Sequence, residues 1–532
     1  MTAETINLLE PTPPGRLPLA AVAIRLQPQD HVAIAKINLQ PGIVLTLDSD
    51  LTDSPPEIPI RGFIPSGHKV SLSEIPVGQA LRRYGQIIGF ATQPIRPGEH
   101  VHTHNLGMGD FARDYAFGAE VSPVSDTPPA ARRTFGGYQR ANGQVGTRNT
   151  IAVIGTVNCA AHTCRQIAHH FTPERLTAYP NVDGVIALTH TTGCASRPGG
   201  YDYDILQRTL AGMARHPNVG AYLIVGLGCE TNQLTDLVEN YGLSGATGQP
   251  PGLTIQDLGG IRKTVQAGIT AIEAMLPQVN NIRRTPQPIS ELKLALECGG
   301  SDSWSGITAN PVVGLVADEL VRQGGTVVLS ETTEIYGAEH LLTRRAINAE
   351  VGQKLLDKVR WWEEFARRYD VEINNNPGPG NKAGGLTNIY EKSLGAVAKG
   401  GSTPLMAVYD YAEPVTARGL TFMDTTGYDP ISVTGMLAGG CNLVLFTTGR
   451  GSVFGSVPAP TIKICTNSVT YNRMPDDMDL NAGRVLEGIP MAEVAAELLE
   501  LVIAVASGQP SKSEAQGVGE AEFVPWYLGG TV

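Results

Sequence analysis

The sequence predicts a multidomain α/β protein: a small all-β module at the front, then two α/β domains with largely parallel sheets. Three observations carry that reading. The chain has 532 residues, whereas a single hydrophobic core stops growing near ~250–300 residues, so two or three domains are needed. The first hundred or so residues hold only short apolar stretches cut by Gly and Pro. From residue 136 onward, strand-like apolar runs alternate with helix-like segments, the rhythm of βαβ units.

Residues 1–17 contain Pro11, Pro13, Pro14 and Gly15 and read as a loose arm. Residues 18–108 carry HVAIAKINL, VLTL, KVSLSEI, QIIGFAT and HVHTHNL, whose length and punctuation suit a small β module. Residues 109–135, with Pro123, Pro128 and Pro129, read as a linker. The first α/β domain is expected at 136–285, with IAVIGTV, GVIALTH and AYLIVGL as buried parallel strands and ILQRTLAGMARH as an amphipathic helix. The second is expected at 286–532. It opens on LKLALE, and Asn310 followed by Pro311 reads as a helix start with Asn310 as the N-cap. TVVLSE, LMAVYDY, LTFMDT, NLVLFTT and TIKICT read as strands; QKLLDKVRWWEEFARRY and AEVAAELLELVIAVAS read as helices.

Composition narrows the function. Hydrophobic residues make up 42% and charged residues 17% of the chain, a globular balance rather than a disordered one. The formal net charge of −11 gives no generic pull on nucleic acid or anionic membrane, so an anionic ligand would need a locally positive site. No apolar run reaches the ~18 residues of a membrane span, and the N-terminal stretch lacks the basic and apolar regions of a signal peptide. Seven cysteines are too sparse and odd for a disulfide framework. Reduced thiols or ligands in the cytoplasm are the expectation.

Four constellations could carry chemistry. Cys159, Cys194, Cys229 and Cys298 each lie at or just past a strand-like run. The first gaps are equal (194 − 159 = 35 and 229 − 194 = 35), about one βα repeat. Strand ends of a parallel sheet share one edge, so all four thiols are expected on one rim, holding a soft metal or an iron–sulfur cluster. The alternative is that each is a small buried hydrophobe. In the β module, HVHTHN alternates, so an extended chain puts His100, His102 and His104 on one face. With His31 and His68 they could bind a metal or move protons, or simply form a solvated edge.

Two glycine-rich loops carry cations. NPGPGNKAGGLTN places Asn381 and Lys382 before a helix-like segment, and FTTGRGSVFG presents Arg450 between glycines. Backbone amides with Lys382 make an anion site, and Arg450 could take a carboxylate with both its nitrogens. Neither loop is a GxxxxGK[ST] motif, and GLGCET holds only half of a dinucleotide fingerprint, which counts against a nicotinamide oxidoreductase. Finally, CGGSDSWSGITANP and SETTEIYGAEH offer Asp302, Glu331, Glu334 and His340 as ligands or proton-transfer groups, with caps and turns as the plain alternative for the Ser and Thr residues.

Read together, these segments resemble the altronate dehydratase/galactarate dehydratase family of sugar-acid dehydratases. The motifs are GYQRANGQVGTRN (137–149), HTTGC (190–194), RTLAGMARHPNV (208–219), VGLGCETNQ (225–233), ECGGSDSWSGITANP (297–311), GAEHLLTRRA (337–346), NPGPGNKAGGLTNIYEKSLGAVAKGG (376–401) and FTTGRGS (446–452). The β module, through DHVAIA, GHK, YGQIIG and HVHTHN, is similar to the family's β-clip, a fold shared with antifreeze-like (SAF) proteins. His31 and Ala195 depart from the family's usual residues. HVHTHN leans toward altronate enzymes, whereas HLLTRRA and MDLNAG lean toward galactarate enzymes.

The resemblance implies loss of water from a sugar acid to give a 2-keto-3-deoxy acid, aided by a divalent metal, iron or manganese, with an iron–sulfur cluster as the alternative. With the residue chemistry it nominates His68, His102, His104, Lys382 and Glu331 as catalytic. Arg450, Lys382, Asn381, Ser301 and Asp302 are nominated as substrate-binding, and the four cysteines as metal ligands. The expected partner is a sugar acid, not nucleic acid or membrane, and a homo-oligomer is compatible with the reading. A lyase acting on a related hydroxy acid such as sulfolactate, and a non-catalytic sugar-acid-binding protein, are the competing readings.

Overall fold

The computed structural model describes residues 14–47, 55–244 and 252–528. The front of the chain folds as three small sheets of short strands, ordered around Val32–Ala35, Ile43–Thr46 and Gln86–Ala91. Their inner faces pack Ile34, Leu39, Leu45, Val70, Ile88 and Val101 out of solvent. This is the all-β module expected from the sequence. Strand pairing begins earlier than the loose arm allowed: Gly15–Pro18 lies parallel to Ile43–Thr46. The linker likewise ends early, because Thr134–Gln139 is a strand antiparallel to Arg284–Pro288.

The middle of the chain forms a four-stranded sheet in the spatial order Gly184–Leu188, Thr150–Gly155, Val219–Gly226, Gly252–Thr254, with every pairing parallel. The three long strands are the three apolar runs singled out in the sequence. Helix Tyr201–Ala214 packs against helix Asp429–Ala438 of the next sheet. The contact is so close that a Cβ on Gly212 would lie 2.3 Å from the Ala438 carbonyl oxygen, which only glycine avoids.

The C-terminal body is a seven-stranded, wholly parallel sheet. Its order is Leu405–Tyr409, Gly419–Met423, Thr326–Leu329, Lys293–Cys298, Leu443–Thr448, Thr461–Cys465, Leu480–Asn481. The strands are buried on both faces, which is why they read as continuous apolar runs. Chain order reverses at Lys293–Cys298, the first strand of this body: the next strand lies on one side and Leu443–Thr448 on the other. Ligands of open parallel sheets bind where strand order reverses, past the carboxyl ends. The loops leaving Cys298 and Thr448 therefore flank the expected crevice. The helix after the first strand spans Ala309–Arg322 with Thr308 at its N-cap, so Asn310 is not the cap. It sits inside the first turn, donating to the Gly395 carbonyl at 2.9 Å and accepting from Thr447 Oγ1 at 2.7 Å. Among the described residues, no helix is long and apolar enough to cross a membrane.

Candidate active site

The β module docks onto the crevice through buried charge. Lys69 and Arg83 both reach Glu391, at the start of helix Ile389–Ala396, and Lys69 Nζ lies 2.9 Å from each carboxylate oxygen. Thr387 adds two hydrogen bonds to Glu391 Oε2. Burial opposes the charge, but Lys69 and Arg83 hold the Glu391 carboxyl down to about 2. Removing either side of such a cluster strands a buried charge, so the module's placement is fixed.

That docking brings His68 to the 376–388 loop, where His68 Nε2 lies 3.2 Å from the Ala383 carbonyl oxygen. His68 also shares a 2.9 Å hydrogen bond with His100, and His102 packs edge-on against His68. The ligand nitrogens of His68, His100 and His102 all lie within 4.8 Å of one another. The sequence anticipated a histidine cluster by strand alternation, and the structure makes it differently. Only His100–Val101 is strand; His102–Asn105 is a turn closed by Asn105, whose side chain accepts from the His102 amide at 2.9 Å. The fold recruits His68 from a neighbouring strand end, while His104 stays beside His100 at 5.5 Å between ring centres. His31 is placed elsewhere in the module, accepting from the Arg82 amide at 3.0 Å. Burial pushes His100 down to about 3 and His102 down to about 4, with neighbouring rings and Lys69 adding to the effect. Both are thus neutral at physiological pH and present lone pairs, and His102 Nδ1 is buried without a partner.

Across the loop, Gly384 lets Asp302 and Arg450 approach: a Cβ there would lie 2.9 Å from Asp302 Cβ and 3.3 Å from Arg450 Cδ. Arg450 is exposed, its amide anchored on the Gly300 carbonyl at 2.8 Å. Lys382 is half-buried in helix Pro379–Ala383. Asn381 is a loop clamp, donating to the Ser301 carbonyl and accepting from the Gly378 amide. Asp302 accepts from the amides of Trp304 and Ser305 and from the side chains of Thr466 and Asn467, and burial nevertheless pushes it up to about 6.

Deeper in the crevice is a cluster the sequence exposed only in part. Glu331, Glu334 and Cys298 meet at the end of the first strand: the Cys298 thiol donates to Glu334 Oε2 at 3.4 Å, and its amide donates to Glu331 Oε2 at 3.2 Å. Lys399 donates to Glu331 at 2.7 Å, and Lys392 pairs with Glu334. Glu297 and Asp429 complete it, with Glu297 Oε1 buried and unpartnered. Glu331 itself is held at φ 64°, an unfavourable region for a side-chain-bearing residue. Gly299 admits Asp429, because a Cβ there would lie 2.3 Å from Asp429 Oδ2. Burial, reinforced by the charges of Glu331 and Glu334, pushes Asp429 up to about 8. Burial and Glu331 push Glu297 and the Cys298 thiol up. Glu334 is driven the other way, because Lys392 and Lys399 outweigh its burial. A narrow cavity beside this cluster is lined by Tyr84, Ser301, Asp302, Cys298 and Lys392.

Two sequence expectations change here. Cys298 is not on a rim with the other three cysteines: it is buried among carboxylates at the seven-stranded sheet, whereas Cys159, Cys194 and Cys229 are exposed on the loops of the four-stranded sheet. His340 lies outside both clusters, against Gln86 at 3.2 Å. Asp429, Lys392 and Lys399 went unnoticed in the sequence. Two lysines on the polar-poor segment IYEKSLGAVAKGG were the available signal.

The comparisons agree with this geometry. Residues 21–109 match the altronate/galactarate dehydratase SAF domain, residues 137–280 the D-galactarate dehydratase/altronate hydrolase second domain, and residues 289–531 the D-galactarate/altronate dehydratase C-terminal domain. An altronate dehydratase of Bacillus subtilis is 35% identical, covering 91% of this chain and 95% of the relative. A galactarate dehydratase (L-threo-forming) of Escherichia coli is 35% identical, over 86% and 89%. The beta subunit of a (2R)-sulfolactate sulfo-lyase of Chromohalobacter salexigens is 34% identical, over 74% and 97%. All three parts of the fold are thus accounted for, and the chain belongs to the altronate/galactarate dehydratase family of hydro-lyases.

Proposed function

We propose that the protein dehydrates a sugar acid of the altronate or galactarate class to a 2-keto-3-deoxy acid. The observation that carries this is the set of buried carboxylates whose proton affinities are driven apart at the end of the first strand of the seven-stranded sheet. Dehydration needs a base for the C2 proton beside the carboxylate and an acid for the departing C3 hydroxyl. An Asp429 raised to about 8 is protonated at neutral pH and can donate to the hydroxyl. Glu331, pushed up by burial and by Glu334 against the pull of Lys399 on one oxygen, takes the C2 proton. Arg450 and Lys382 supply the local positive charge that an acid substrate needs in a chain of net charge −11.

His68, His100 and His102 fit a divalent iron or manganese ion: three neutral imidazoles converge and one buried nitrogen has no partner. When bound there, such an ion supplies positive charge to the substrate's carboxylate and hydroxyl oxygens. The test is a panel of altronate, galactarate and (2R)-sulfolactate offered to reduced, metal-replete protein. Keto acid from a sugar acid, with no sulfite from sulfolactate, is expected. Sulfite release alone, or no turnover, contradicts the reading.

The carboxylate clamp makes a separate prediction. Arg450→Lys keeps the charge but loses the planar fork, so the KM rises by about tenfold or more. Melting moves little, because an exposed loop change costs within about 0.5 kcal/mol. An unchanged KM shows that Arg450 does not touch substrate.

A further inference from the structure

Free cysteine is among the residue types most often buried. Four of the seven here follow that rule, whereas Cys159, Cys194 and Cys229 are exposed. The three exposed thiols are not scattered. Each follows one of three adjacent parallel strands of the four-stranded sheet: Cys159 after Thr150–Gly155, Cys194 after Gly184–Leu188 and Cys229 after Val219–Gly226. Strand order reverses at the central one, so Cys159 and Cys229 flank the position where an open parallel sheet takes its ligand.

The loops that carry them are tied to one another. The Asn158 amide donates to the Thr192 carbonyl at 3.0 Å, and the Asn232 amide donates to the Gly193 carbonyl at 3.0 Å. Asn232 Nδ2 reaches the Thr156 carbonyl at 2.8 Å, and Thr156 Oγ1 reaches the buried Glu230 at 2.7 Å. Gly193, at φ 98°, presses so close that a Cβ would lie 2.3 Å from the Thr156 carbonyl oxygen. Next to Cys229, Gln256 Nε2 donates to the sulfur at 3.4 Å. A network of this density holds three exposed thiols on adjacent loops.

We infer that Cys159, Cys194 and Cys229 hold an iron–sulfur cluster on the second domain. Thiolates around a single tetrahedral ion sit only ~3.8 Å apart, from metal–sulfur bonds of ~2.3 Å. These three sulfurs are not among the groups whose ligand atoms lie within 4.8 Å of one another. A cluster core spreads its thiolates wider. Three ligands satisfy three irons of a four-iron core and leave the fourth open to an oxygen donor.

The helix that follows Cys194 packs against helix Asp429–Ala438, with Gly212 meeting Ala438. The inference goes beyond the dehydratase reading and is read without turnover, so either can fail alone.

The full chain is prepared anaerobically and reconstituted with ferrous and ferric iron in equal amounts and inorganic sulfide. Iron and acid-labile sulfide in equal amounts, with a brown visible band, are expected in the wild type and in Cys298→Ala and Cys465→Ala. Cys159→Ala, Cys194→Ala and Cys229→Ala each lose most of both while melting as the wild type does. Iron without labile sulfide, or a full cluster in any one of the three variants, overturns the inference.

Discussion

Glu331→Gln is expected to lower turnover by roughly 10²–10⁴-fold, the usual worth of a positioned proton-transfer group. The amide keeps the shape but cannot take a proton. It also leaves the Lys399 ammonium, itself buried, without its carboxylate at 2.7 Å, which costs about 3–5 kcal/mol. The two effects separate in the double variant. Adding Lys399→Met removes the stranded charge and restores melting toward the wild type, while turnover stays low. Recovery of turnover along with melting would show that Glu331 serves only to neutralise Lys399.

The second large effect is at the joint between the β module and the body. Glu391→Gln leaves Lys69 and Arg83 buried against a neutral amide, and the loss is expected at about 3–5 kcal/mol. Turnover falls as well, because His68 reaches the 376–388 loop only while the module is docked. The same pair sets an acid limit. The folded state holds Glu391 at about 2 against an ordinary 4.5, so its contribution is fully present above the ordinary value. It is lost as pH falls from about 4.5 toward 2. Urea titrations across that window should show wild-type stability dropping steeply and Glu391→Gln changing less. Equal slopes would mean that Glu391 is not the group responsible.

The scaffold was legible in the sequence because buried parallel strands leave unbroken apolar runs: IAVIGTV, LKLALE and NLVLFTT each became a central strand. Boundaries were less legible. Asn310–Pro311 has the residue types of a helix start, but Asn310 is used to tie Gly395 to Thr447, and the cap falls on Thr308. The histidines were visible as a group, yet alternation was the wrong reason for their meeting; a turn at His102–Asn105 and a docked strand end brought His100, His102 and His68 together. The deep cluster was the least legible part. Its members run from Glu297 to Asp429 on four separate segments, and only the polar-poor setting of Lys392 and Lys399 hints at their burial. Charge is read from sequence, whereas the burial that shifts Asp429 and Glu297 belongs to the assembled fold.

The central claim, that water leaves a sugar acid in this crevice, is tested most directly by proton NMR of the reaction in deuterated water. Reduced, metal-replete protein with altronate or galactarate should yield a 2-keto-3-deoxy acid carrying one solvent deuterium at C3, because the C2 proton leaves and the enol is reprotonated at C3. No keto acid from either substrate, or a product whose C3 holds no solvent deuterium, would contradict it.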